Sequence, residues 1–141
     1  MPISEAHVGR QYPPTAPYEV SAAKVAEFAA ALGDDDARDA ADDAVAPPTF
    51  AAVISSTAWQ AMFEDPELGL ALRRIVHGDQ RFEFERLLRV GDRVRATLTI
   101  DKVRLREKAD IISASVAVRT LADELVCTAS ATFFHSREDA A

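Results

Sequence analysis

"APPTFAAVISSTAWQAMFEDPELG", residues 46–69, holds a helix with almost no polar side. Pro47 and Pro48 impose an extended approach, Thr49 is a residue type that caps helices, and Asp65-Pro66 ends the run. Between them Phe50, Val53, Ile54, Ala58, Ala61 and Met62 are spread around the helix, leaving only Ser55, Ser56, Thr57 and Gln60 as polar surface. A helix from Phe50 to Phe63 that is apolar nearly all round belongs at the centre of something larger.

What surrounds it is written downstream. From Arg73 onward the apolar period switches to two. Phe82 and Phe84 alternate with Arg81, Glu83 and Glu85, and Val94, Ala96, Leu98 and Ile100 alternate with polar residues. The phase then flips to Val103 and Leu105, which predicts a bulge near Asp101-Lys102. Ile112 to Val118 and Leu125 to Phe133 supply two more alternating runs. Gly91-Asp92, Glu107–Asp110 and Ala122–Glu124 are the turns between them. Upstream, Ser21 can cap a helix whose Val25, Phe28, Ala29 and Leu32 form one apolar face, closed by Gly33. Helices followed by strands, with no alternating βαβ pattern, give an α+β class: an antiparallel sheet wrapped around a central buried helix. At 141 residues the chain suits one domain, residues 1–141.

Charge excludes some functions. Residues 1–72 carry 12 acidic and 3 basic groups, residues 73–141 carry 11 and 13, and the net charge is −7. Such a balance argues against general nucleic-acid binding. A local basic strip is nevertheless present: Arg86, Arg89, Arg93, Arg95, Lys102, Arg104, Arg106 and Lys108 face only Asp92, Asp101 and Glu107. It is either a solvated sheet face or a surface for a phosphate-bearing or acidic partner. The N-terminus has no apolar run suited to a signal peptide, and no stretch is long and apolar enough to insert in a membrane. Cys127 is the single cysteine, so no internal disulfide can form, and the expected compartment is the cytoplasm.

Chemistry-bearing motifs are sparse. Gly9, Gly33, Gly69, Gly78 and Gly91 are too dispersed for a dinucleotide fingerprint or a phosphate loop, and no Gly-x-Ser-x-Gly elbow exists. His7, His77 and His135 have no metal-ligand spacing, and no cofactor or metal is expected. Cys127 falls on an apolar strand face, as a buried small hydrophobe does. His77 stands beside Gly78, which suggests a turn or a close backbone approach; its role is a ligand contact or a hydrogen bond at the strand end. The aspartates at 34, 35, 36, 39, 42 and 43 lack the Gly-centred turn and terminal Glu of a calcium loop, so solvation is favoured.

Four segments in order, "GRQYPPTAPYEVSAAKVAEFAAALGD", "VAPPTFAAVI", "VHGDQRFEFERLLRVGDRV" and the final strand pairs, resemble an actinobacterial MaoC-like dehydratase family over about residues 5–135. Its best-known members are the substrate-binding A- or C-type subunits of (3R)-hydroxyacyl-acyl-carrier-protein dehydratase in fatty acid synthesis. The resemblance implies a hot-dog fold and the dehydration of (3R)-3-hydroxyacyl thioesters, or hydration of the enoyl product. In catalytic relatives the loop after the first helix reads Gly-Asp-x-Asn-Pro-x-His, whose Asp and His form an acid/base pair. Here Gly33 and Asp34 keep the first two positions, but Asp36 replaces Asn, Ala37 replaces Pro and Asp39 replaces His. An exposed aspartate is ionised near neutral pH and has no proton to give.

The resemblance therefore implies a subunit with a vestigial Asp34 and no catalytic residue of its own. It would be paired in a heterodimer with a catalytic MaoC-type chain and would bind an acyl-ACP or acyl-CoA thioester. Phe50, Ile54 and Trp59 are candidates for acyl contacts, with core packing as the alternative for each. His77 and Gln80 are candidates for the pocket or the interface. Two further readings stay open: a self-sufficient homodimeric hydratase or thioesterase using Asp34 with His77, and an acyl-binding module without catalysis.

Overall fold

The computed structural model describes residues 2–33 and 44–137. In chain order these form β1 (Tyr18–Glu19), α1 (Ala22–Ala31), α2 (Ala51–Phe63), β2 (Ile75–Phe84), β3 (Arg93–Leu105), β4 (Ala109–Thr120) and β5 (Leu125–Ser136). Short 3-10 turns sit at Glu5–His7, Pro48–Phe50 and Leu72–Arg74. All strand pairs are antiparallel and the sheet order is β1-β3-β4-β5-β2. The sheet curls around α2 in the hot-dog arrangement.

The predicted alternation sets the inner face. Val94, Ala96, Leu98 and Ile100 of β3, Ile112 to Val118 of β4 and Cys127 to Phe133 of β5 are buried at every second position. The bulge falls where the phase flips, between Ile100 and Lys102. Burial in this layer pushes the Cys127 thiol up to about 11, so it stays protonated and inert. Against this face α2 buries Ala51, Ile54, Ser55, Ala58 and Met62. The alanines of helix and sheet let the two backbones approach closely at interior packing density.

The two helices are capped in different ways. Ser21 caps α1 by accepting from the Lys24 amide at 3.1 Å, and Gly33 follows it with φ +79°. Leu32 does not join the apolar face: it is 55% exposed beyond the last buried turn. Thr49 does not cap α2 either. The Pro48–Phe50 turn runs directly into the helix, so Ala51 donates to Pro48 and Thr49 carbonyls and no side-chain cap is needed. The central helix also has a wet strip after all, comprising Ser56, Thr57, Gln60 and Ala61. Ser56 and Thr57 bond back to the carbonyls of Val53 and Ile54 at 3.2 and 2.6 Å, which satisfies both hydroxyls without a neighbour.

One edge of the sheet is closed by the chain itself. Residues 9–19 run along β3: the Gly9 amide donates to Ile100 at 2.7 Å, Ile100 to Arg10 at 2.9 Å, Tyr12 to Leu98 at 3.0 Å and Thr15 to Ala96 at 2.9 Å. Thr15 Oγ1 accepts the Ala96 amide at 3.0 Å, and β1 completes the ladder opposite Val94 and Arg93. Asp65, just past α2, fastens this segment from below. It accepts from Tyr12 Oη at 2.6 Å, from Arg10 Nη1 at 2.8 Å and from the Glu67 amide at 3.0 Å. Burial alone would raise the Asp65 carboxyl, but the Tyr12 and Arg10 hydrogen bonds outweigh it and hold the group below the ordinary range. At the other edge, no strand among the described residues pairs with the outer side of β2.

Candidate functional site

Asp34, together with Asp36 and Asp39, lies outside the described residues; the chain on both sides of it is placed. Downstream, Ala46 donates to Leu88 and Val90 donates to Ala44, each at 2.8 Å, which pins the approach to α2 against the segment before β3. Phe50 then turns fully into the core and meets Phe28 of α1 edge-to-face, with centroids 5.4 Å apart. Ile54, one turn on, is equally buried. Both therefore serve as packing between α1, α2 and the sheet in the isolated chain.

A different picture holds half-way along α2. Trp59 is half-buried and its ring stands edge-on to His77 of β2, centroids 4.9 Å apart, and to Phe133 of β5 at 5.0 Å. His77 stacks on Phe133 at 5.4 Å with planes 29° apart, and Phe63 closes the group at 5.3 Å from Phe133. Trp59 and His77, singled out separately in the sequence, are thus one cluster. His77 lies inside β2 rather than at a strand end, and makes no side-chain hydrogen bond among the described residues. The cluster is an aromatic wall with one imidazole at its open rim, beside the unpaired edge of β2.

Gly78 explains the placement. The pairing of β2 with β5 slips between His77 and Asp79, so Gly78 is the bulged residue. The Phe134 ring lies over its Cα: a Cβ there would stand 2.2 Å from Phe134 Cε2. The close approach is therefore real, and it occurs mid-strand rather than at a turn. Because of the bulge, His77 opposite Phe133 and Gln80 opposite Ala131 both fall on the inner face. Among the described residues Gln80 Nε2 reaches only the Arg81 carbonyl at 3.4 Å, while its Oε1 is buried without a partner, as is Ser55 Oγ on α2.

The other two histidines are committed elsewhere. His7 Nδ1 accepts the Ser4 amide at 3.0 Å and completes a capping box. His135 is buried. The Ala71 amide donates to its Nε2 at 3.0 Å, so the proton sits on Nδ1, 3.2 Å from Asp110 Oδ2. Asp110 Oδ1 in turn accepts from Arg137 Nε at 2.9 Å. Asp110 and His135 border a cavity of about 460 Å³, but the imidazole nitrogen that would act as a base is already occupied by Ala71. This pair clasps the segment leading into β2. The sequence marks Asp65 as a helix end and Phe133 as an inward strand position, but the partners of Asp65, Phe133 and the Asp110–His135 pair are distant in the chain and left no signal.

Comparison with known proteins decides the family. The FAS1-like dehydratase domain region matches residues 6–129. The chain belongs to the FAS1-like dehydratase family. The UPF0336 protein PPA1896 of Cutibacterium acnes is 45% identical over 139 residues, covering 99% of this chain and 98% of that one. Among solved structures, the HadBC (3R-hydroxyacyl-ACP dehydratase) complex of Mycobacterium tuberculosis aligns with a TM-score of 0.77 at 26% identity, covering 91% of this chain and 96% of the other. A MaoC-like dehydratase aligns at 0.79 and 26%, covering 93% of this chain and 42% of that protein. This FAS1-like dehydratase chain therefore shares the hydratase/dehydratase hot-dog scaffold. Among its described residues no group of three His, Cys, Asp or Glu is gathered to hold a metal, and no helix is long and apolar enough to cross a membrane.

Proposed function

We propose that this chain is the substrate-binding, non-catalytic subunit of a heterodimeric (3R)-hydroxyacyl-thioester dehydratase of fatty acid metabolism, acting on an ACP or coenzyme A thioester. The observation that carries the reading is the disposition of the histidines. The chain has three; His7 and His135 are spent on backbone hydrogen bonds, and His77 is packed on Trp59 and Phe133. The loop that begins with Gly33-Asp34 contains none. Water addition to an enoyl thioester needs an acid and a base of matched pKa at one carbon–carbon bond. A second hot-dog chain would bring that pair.

The open edge of β2 supports a partner. Val76 and Leu72 beside it are 63% and 67% exposed, and Phe134 adds a third apolar side chain on the same rim. An exposed, unpaired strand flanked by apolar residues is a site for strand addition. In this reading Trp59, His77 and Gln80 line the acyl pocket at the seam, and the buried Phe50 and Ile54 back it from the core. HadBC is itself a complex of two chains, which accords with the proposal.

The test is enoyl-thioester hydration by the purified chain alone and by the chain co-expressed with a MaoC-type protein carrying Gly-Asp-x-Asn-Pro-x-His. Activity is expected only in the mixture, and Asp34→Ala in this chain should leave it intact. Turnover by the lone chain that Asp34→Ala or His77→Ala abolishes would establish the self-sufficient enzyme instead. A chain that binds acyl thioester yet neither pairs nor gains activity would be the acyl-binding module.

A further inference from the structure

The outer face of the sheet carries a pair of arginines that the fold opposes to one another. Arg95 of β3 and Arg119 of β4 are direct register partners and both are exposed. Directly opposed residues on antiparallel strands hold their Cβ atoms roughly 5 Å apart, and like charges so placed are destabilising. Their neighbours along the same face, Thr97 opposite Ala117 and Thr99 opposite Ser115, are neutral.

Acid is not scarce in this chain, with 23 carboxylate side chains against 16 bases. Three arginines use it closely: Arg10 has Asp65 and Glu67, Arg86 has Asp92 and Glu124, and Arg137 has Asp110. Arg95 has no ion pair among the described residues. Arg119 has only the 87%-exposed Asp123 carboxylate at 3.9 Å, and is steadied by the Asp123 carbonyl, which accepts from its Nη1 at 3.2 Å. Asp123 presents that carbonyl from the left-handed turn between β4 and β5, at φ +68°. Arg95 and Arg119 line a surface depression of about 280 Å³ whose walls also include Thr97, Thr120, Pro14 and, at the Arg119 end, Asp123.

We propose that Arg95 and Arg119 bind a phosphate monoester on the outer face of the sheet. Two planar guanidinium forks offer parallel N–H donors to the oxygens of one dianion, which removes the repulsion between them. Thr97 adds a hydroxyl donor at the wall. The ligand is a free phosphate ion or the terminal phosphate of a larger molecule, and the site does not depend on the thioester reading above.

The experiment follows the arginine Nε–Hε resonances of the full chain during titration with inorganic phosphate at constant ionic strength set by chloride. Arg95 and Arg119 should shift together and saturably while Arg104, exposed on the same face, stays still. Arg95→Gln should weaken binding at least tenfold, and Arg119→Gln serves equally should the first variant fold poorly. A second titration with adenosine 3′,5′-bisphosphate separates the sources. At least tenfold tighter binding than phosphate assigns the site to a phosphate on a larger ligand, and equal affinity assigns it to the free ion. Linear shifts shared by Arg104, or affinity unchanged in the glutamine variants, would overturn the site.

Discussion

The two edges of the sheet are finished in opposite ways. At β3 the chain covers its own edge with residues 9–19, then locks them with the Asp65 hydrogen bonds. At β2 nothing among the described residues pairs, and apolar side chains crowd the rim. An edge strand that is meant to stay single is usually blunted by charge, proline or a cover. Pro13, Pro14 and Pro17 serve that purpose along the covering segment, whereas β2 has no proline from Ile75 to Phe84 and carries its exposed charges, Asp79, Arg81 and Glu83, only after the bulge, leaving the stretch at Val76 uncharged. The difference closes the β3 side of the sheet and leaves β2 as the side where, in the function proposed above, a second chain would add.

Removing the centre of the aromatic cluster beside β2 should have the largest effect. Phe133 touches Trp59, Phe63 and His77 and is buried, so Phe133→Ala is expected to cost about 3–5 kcal/mol in urea denaturation. Charging the rim should act on association and not on the fold. Val76→Asp is expected to leave the melting temperature within a few degrees yet weaken pairing at least a hundredfold, read by sedimentation of the co-expressed complex. Equal loss of both would mean that Val76 supports the chain itself.

At the closed edge the effects are smaller. Tyr12→Phe removes one hydrogen bond to a carboxylate and should cost about 1.5–2 kcal/mol. The folded Asp65 titrates below its unfolded value, so its contribution is complete above about pH 4 and fades as pH falls through the lower folded pKa. Amide protection at Gly9 and Tyr12 should accordingly drop on acidification before that of β4. Smallest of all is Gly78→Ala, which must swing the half-exposed Phe134 ring aside at a cost of about 1 kcal/mol. Phe134→Ala should cancel most of that cost in a double-mutant cycle.

The features legible in the sequence were those with a local period. The all-apolar α2, the inward alternation of β3, β4 and β5 and the bulge after Ile100 each show within a dozen residues. The covering segment did not, because its prolines and short β1 lack any alternation and its hydrogen bonds go to a strand some eighty residues away. The same physics divides the candidate site. Trp59 and His77 were visible one at a time, but their meeting depends on how α2 crosses β2 and β5. Phe50 and Ile54, candidates for acyl contacts with core packing as the alternative, are fully buried, with Phe50 held edge-to-face against Phe28 of α1. The histidines gave no sign of their backbone partners, and a hydrogen bond from Ala71 to His135 leaves no trace in either local pattern.

Gly78 has one consequence for how β2 tolerates change. The bulge makes the strand two reading frames joined at a single residue: His77 belongs to one and Gln80 to the other. Deleting Gly78 would merge the two frames without turning either over: Asp79 stays opposite Thr132, and His77, now directly before it, stays opposite Phe133. The strand can therefore lose a residue at the bulge and keep both His77 and Gln80 on the inner face.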